Sequence, residues 1–283
     1  MPKDAVVNQP RLVARADHYT EGVVVAPDGT LYYSMTAPGE IVRMRSDGAG
    51  SEVWAHVPAA NGHAIDVDGT HVVMSSAGSI LRLDASGRIV EVVACTVDGR
   101  WLTYPNDLAL DTVRGGYYVT DSGYKETPKA VPADPQGRVY RVDPAGRVHE
   151  VAGGLAYANG IALSHDGSML YVGESVTREI WRYAVRDDGS LGARQLFAEV
   201  PRIPGETTVP DGFVVGPDGR LYVAHYGARE VLAYASNGVL ERRIPSGNKT
   251  TSHAAFSADK RTLYVSGGIE DESGPGAIFA IAL

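Results

Sequence analysis

The stretch VPDGFVVGPDGRLYVAHYG, residues 209–227, carries Pro-Asp-Gly twice, and the two copies are seven residues apart. The second copy, Pro217-Asp218-Gly219, lies between FVV and LYV, two short runs of β-branched and aromatic residues, and reads as a tight turn. The first copy, Pro210-Asp211-Gly212, stands at the entrance to a strand, where no turn is needed. A carboxylate placed there calls for another reason, and the rest of the chain supplies one.

The same unit recurs along the sequence. A polar turn, an apolar strand, a loop, an alternating strand and a second turn appear as TLYYSMTAPGEIVRMRSDG from Thr30 and HVVMSSAGSILRLDASG from His71. They appear again from Gly116, Met169, Leu221 and Leu263, which gives six copies about 40 to 53 residues apart. The period of two within each run is strand behaviour, and no stretch shows a helical stripe. Repeats of this length built from short strands predict four-stranded propeller blades. The chain is therefore expected to be all-β, a six-bladed β-propeller occupying residues 1–283 as one domain, with a metal site at one mouth of the central channel. The early strand RLVARA, Arg11 to Ala16, is expected to pair into the last blade and leave no open edge.

A further strand precedes each apolar run. Its six versions are EGVVVAPDG from Glu21, NGHAIDVDG from Asn61, NDLALDTVRGG from Asn106, NGIALSHDG from Asn159, DGFVVGPDG from Asp211 and SHAAFSADK from Ser252. In five of them the first residue stands seven positions before the turn Asp, so these first residues are equivalent. They are Glu, Asn, Asn, Asn, Asp and Ser, all oxygen-bearing, at the head of apolar strands. Asn, Asp and Ser also form local Asx-type turns, which is the purely structural account of any single copy. Glu21 suits that account poorly. In a propeller these innermost strands line the channel, and the six positions would form a ring of carboxylate, amide and hydroxyl oxygens. That is the donor set of a hard cation. Asp28, Asp68, Asp166 and Asp218 are ordinary turn residues; Asp211 is the channel carboxylate.

Composition narrows the partners. A formal charge of −8, from 26 Lys and Arg against 34 Asp and Glu, argues against nucleic acid. No apolar run is long enough to span a bilayer, and the amino-terminal residues have no apolar core like that of a signal peptide. A cytoplasmic chain, a small-molecule substrate and a monomer or weak homo-oligomer are the expectations. Cys95 is the single cysteine, so no intrachain disulfide forms.

The combination of EG at Glu21, PNDLALD and GGYYVTDSG from Pro105, ANGIALSHDGSMLYVGES from Ala158 and the opening stretch from Val209 resembles the senescence-marker-protein/gluconolactonase/luciferin-regenerating-enzyme (regucalcin-like) family. The resemblance covers nearly the whole chain. It implies a six-bladed propeller holding one divalent metal ion through Glu21, Asn159 and Asp211. Calcium is the first expectation, with zinc, magnesium or manganese as others. It implies further that Asn106 contacts substrate or the metal's water, and that the activity is metal-dependent lactone hydrolysis with Asp211 as general base. Two departures stand out. The family's usual EGP start is EGVVV here, and Tyr104 occupies the place where the vertebrate sugar lactonases carry an Arg, which suggests a less polar or aromatic substrate.

A carboxylate bound to a cation has a lowered proton affinity, so histidine is a rival base. Loops after the LYV runs should return to the channel mouth, which places His225 beside Asp211 and His253 directly after Ser252. The expected catalytic pair is Asp211 and His225, with Asn106, Tyr104, Tyr124, His253 and Asn61 around the substrate. The Pro-rich segment from Ser122 to Gly137 reads as a loop over the site. Other uses of the same cup are phosphotriester hydrolysis, a lyase or isomerase step, or a binding propeller with no chemistry. No Gly-x-Ser-x-Gly elbow, His-Glu-x-x-His helix or phosphate-binding loop occurs.

Overall fold

Period-two alternation decides how the apolar strands are buried. In LYYSM, Leu31–Met35, all five residues are buried, so both faces of the strand are covered. Leu31 and Tyr33 pack with Tyr264 and Ile278, whereas Tyr32, on the opposite face, packs with Trp54, Val73 and Leu81. The same split recurs further along. Tyr117 and Val119 join Val72 and Met74, while Tyr118 joins Ile161 and Leu170. Leu221 and Val223 join Tyr171 and Phe197, while Tyr222 joins Ala254 and Val265. Each sheet is thus glued to the sheet before it and the sheet after it, as alternating side chains on a pleated strand require. Burying one Leu, Val or Tyr in this way contributes roughly 1.5–3 kcal/mol before the cost of ordering it.

The computed structural model describes residues 9–283, so the first eight residues of the expected 1–283 domain lie outside the described residues. Among the described residues every regular element is a strand, and the arrangement is a propeller-like set of small antiparallel sheets. Four sheets have four strands each, in chain order. The remaining sheet has eight strands, but a single residue pair, Tyr226 with Thr250, joins its two halves. One half takes its outermost strand from the amino terminus: Arg11–Ala16 pairs antiparallel with Gly276–Ala282, Arg11 opposite Ala280. A separate short hairpin, Thr96–Val97 with Arg100–Trp101, stands outside the repeats.

The first strands of the repeats are Thr20–Val25, Ala60–Ile65, Pro105–Leu110, Ala158–Leu163, Val209–Val215 and Thr250–Phe256. Each packs against its successor, and the last packs against the first. These strands enclose the axis on which the candidate site lies. No helix among the described residues is long and apolar enough to cross a membrane.

Candidate active site

All six first strands break register at the same point. The irregularity falls between Glu21 and Val24, Ala60 and His63, Pro105 and Leu108, Ala158 and Ile161, Pro210 and Phe213, and Thr251 and His253. A bulge sets two residues against one, twists the strand and re-aims a side chain. It leaves Asn61, Asn106, Asn159, Asp211 and Ser252 out of the ladder, whereas Glu21 still pairs with Ser34 and the break follows it.

The next residue is Gly in four of the six strands, and crowding explains it. A Cβ on Gly22 would lie 2.2 Å from the carbonyl oxygen of Asn61, and one on Gly160 would lie 1.9 Å from that of Asp211. The other two strands carry Asp107 and His253 there, and these face each other, His253 Nε2 being 3.5 Å from Asp107 Oδ1. Asp107 also accepts the backbone N–H of Leu108 at 2.8 Å and of Ile161 at 3.3 Å. Burial works against a charge on His253, but the Asp107 carboxylate, the Glu21 charge and the Val23 backbone together raise the imidazole pKa.

Three amides in the ring are aimed by the same device. Asn61, Asn106 and Asn159 each donate from Nδ2 to the Oγ of a serine one residue past the end of the neighbouring strand, at 3.0 Å (Ser76), 3.1 Å (Ser122) and 3.1 Å (Ser175). Each serine in turn donates to a backbone carbonyl of the following repeat, at Pro105, Ala158 and Pro210 respectively. The Asn159 side chain also hydrogen-bonds to Asp211. Asn159 Oδ1 is buried without a hydrogen-bond partner, an expensive state for an amide oxygen.

Glu21, Asn61, Tyr104, Asn106, Asn159 and Asp211 line one cavity of about 450 Å³. Burial raises the Glu21 carboxyl to about 7 against the pull of His253, with the Asp107 charge adding to the rise. Burial also lifts Asp211 well above the usual carboxylate range, reinforced by Glu21 and Glu272. Tyr19 donates to Glu21 Oε1 at 3.2 Å, and the Gly22 N–H to its Oε2 at 3.2 Å. Two desolvated carboxylates beside an unpartnered amide oxygen suit a hard divalent cation, which would relieve all three. Among the described residues no group of three or more His, Cys, Asp or Glu side chains could hold a metal ion by itself; the cup combines two carboxylates with amides instead.

Three expected residues are not in the cavity wall. His225 is fully buried, its Nδ1 2.9 Å from Glu230 Oε1 and its Nε2 3.1 Å from the carbonyl oxygen of Pro201. The reason is alternation: His225 pairs with Pro210 but its side chain takes the opposite face, and its neighbour Tyr226 is the one that lines the cavity. A base at His225 is therefore corrected. Tyr124 braces its own loop, donating to the Asp134 carbonyl at 3.3 Å and accepting the Gln136 N–H at 3.0 Å. His253 is withdrawn into its pairing with Asp107. The ring residue Ser252 is also spent, donating to the Thr20 carbonyl at 2.8 Å.

Residues that sequence reasoning passed over join the wall. Tyr19 and Tyr157 stand two positions before Glu21 and Asn159, the same offset as Tyr104 before Asn106. That repeated Tyr-x-Glu/Asn step was available as a signal. The expected loop over the site contributes Lys125, Glu126 and Thr127, and Glu272 arrives from the last repeat.

Residues 19–268 match the family model described as SMP-30/Gluconolactonase/LRE-like region. A gluconolactonase of Zymomonas mobilis subsp. mobilis is 27% identical over 280 residues, covering 90% of this chain and 78% of that protein. Among solved structures, a gluconolactonase of Xanthomonas campestris superposes with a TM-score of 0.80 at 28% identity, over 100% of this chain and 97% of the other. Regucalcin of Agrobacterium tumefaciens, a calcium-binding protein, gives 0.79 at 20% identity over 97% and 93%, a likeness of fold.

Two outcomes follow from the geometry. Ser175→Ala should let the Asn159 amide rotate and weaken calcium binding about tenfold, measured by calorimetry on chelator-treated protein; unchanged affinity would mean that the serine does not aim the amide. In ion-free protein, the raised Glu21 pKa gives stability that is present below about 4.5 and lost as pH rises through about 7. The unfolding midpoint should fall by roughly 3–8 °C across that window and recover with calcium at pH 7.5. A Glu21→Gln chain should show a flatter profile; identical profiles would contradict the assignment.

Proposed function

The chain belongs to the SMP-30/Gluconolactonase/LRE-like family, and from that premise we propose that it is a six-bladed, single-domain propeller that hydrolyses a lactone at the cup on its channel. The single observation that carries the reading is the meeting of Glu21, Asn159 and Asp211 in the wall of one cavity, with Asn159 Oδ1 buried and without a hydrogen-bond partner. The lactonases among its relatives support the substrate class, and the packing of each first strand against the next supports the six-blade count.

Glu21, Asn159 and Asp211 would hold one divalent ion, calcium first. When bound, the ion would supply Lewis-acid polarisation of the lactone carbonyl. The chain's own groups do the rest. The amides of Asn106 and Asn61, held by Ser122 and Ser76, orient the ring and its carbonyl without reorganising during reaction. Tyr104 and Tyr157, with ring centroids 6.3 Å apart, form one wall and exclude water from that side. With His225 turned away, the Asp211 carboxylate is the base within the cavity. It takes a proton from the attacking water as the C–O bond to the carbonyl carbon forms. The ring C–O bond then breaks, and the proton is returned to the ring oxygen, which leaves as the hydroxyl of an open-chain hydroxy acid. Proton balance closes with one water consumed and one carboxylic acid formed.

The test is acid release from a panel of lactones before and after chelation. Release is expected to vanish with chelator, to return with added calcium, and to fall at least about a hundredfold in Asp211→Ala while the chain stays folded. Full activity in Asp211→Ala would overturn the reading.

A further inference from the structure

Four carboxylates line the cavity, from Glu21, Glu126, Asp211 and Glu272, against one ammonium, from Lys125. Glu21 and Asp211 are accounted for by the cup. Lys125 and Glu126 are consecutive and offset each other in charge. Glu272 is left, and its placement is constrained rather than incidental.

It belongs to Glu270-Asp271-Glu272, three acids in a row on the loop between the last two strands of the chain. The first two are spent on holding that loop. Glu270 takes both of its oxygens to Arg229 Nη2, at 2.8 Å each. Asp271 Oδ1 accepts the N–H of Ser273 at 2.9 Å, the Ser273 hydroxyl at 2.8 Å and the N–H of Gly274 at 2.9 Å. The loop closes on itself through Ile269 N–H to the Pro275 carbonyl at 3.0 Å, and it folds so tightly over Gly268 that a Cβ there would sit 2.2 Å from the Asp271 carbonyl oxygen. The third acid is turned to the cavity, where its carboxylate lies beside the Tyr226 hydroxyl and acts on Asp211 and on Tyr19, Tyr104 and Tyr157.

We propose that Glu272 is a specificity-determining residue of this cavity: it makes the mouth negative once the cup is neutralised, so that the site takes neutral or cationic ring compounds and rejects anionic ones. The physical reason is Coulombic. A carboxylate at the rim of a cavity acts into the cavity as well as into solvent, so at low ionic strength the sign of a substituent held near it matters. The tyrosines around it add ring faces and hydroxyls, which accept a cation or a hydroxyl but offer no positive partner for phosphate or carboxylate. Selection against a charge needs only such a repulsive element. This rests on the cavity being the substrate site, and not on the reaction being lactone hydrolysis.

The experiment uses three ring compounds that cannot be hydrolysed: 1,5-anhydroglucitol, its 6-amino-6-deoxy derivative and its 6-phosphate. Their binding to calcium-loaded protein is measured by calorimetry at low salt, so the answer stands whether or not the protein is a lactonase. The expected order is ammonium, then neutral, then phosphate, with at least about tenfold between the ends. Glu272→Gln should shrink that span about fivefold, and Glu272→Lys should reverse it; the side chain is exposed at the rim, so neither change disturbs the core. The proposal is overturned if the phosphate binds as tightly as the ammonium compound in the native chain, or if both variants keep the native order and span.

Discussion

Two carboxylates share one cavity, Asp211 buried and Glu21 half-buried. Glu21 and Asp211 come from strands far apart in sequence; burial raises the proton affinity of both, and the Glu21 charge raises that of Asp211 further. Left alone they would cost the fold several kcal/mol or stay protonated. The rest of the site is arranged around that constraint. The bulges present the oxygens, the glycines beside them let neighbouring backbones approach, and the serines fix each amide with its oxygen free. A single cation would turn an unfavourable convergence into a binding site.

The layer behind the cup follows the same logic with different means. Where four strands have Gly, two have Asp107 and His253, and these answer each other across the axis. The pair fills the space that glycine leaves open in the other four strands and adds hydrogen bonding there. His63 sits in the same region, its Nε2 2.8 Å from His71 Nδ1, and burial lowers its pKa well below the ordinary value. The lowered pKa favours a neutral His63 in that region.

Much of this was legible in the chain because repetition reports equivalence. The LYV strands showed their period of two directly, and the fixed step from Glu21, Asn61, Asn159, Asp211 and Ser252 to a turn Asp aligned the ring without any structure. What repetition could not report was side-chain direction and irregular loops. His225 and Tyr226 are adjacent, and alternation alone decides which one meets the cavity; an estimate based on loop position chose the wrong one. Tyr124 lies in the loop that does reach the site, yet its hydroxyl is consumed by that loop's own backbone. Glu272 was invisible for a related reason, since its direction depends on the turn made by Asp271 and on the close approach over Gly268.

The central claim is that the oxygens of Glu21, Asn159 and Asp211 form one cation site at the mouth of the channel. Anomalous diffraction from crystals soaked in manganese locates such an ion directly. The account predicts one strong peak within bonding distance of all three side chains, absent from an Asp211→Ala crystal. A peak bound elsewhere, or an empty cup with manganese on the surface, would contradict it.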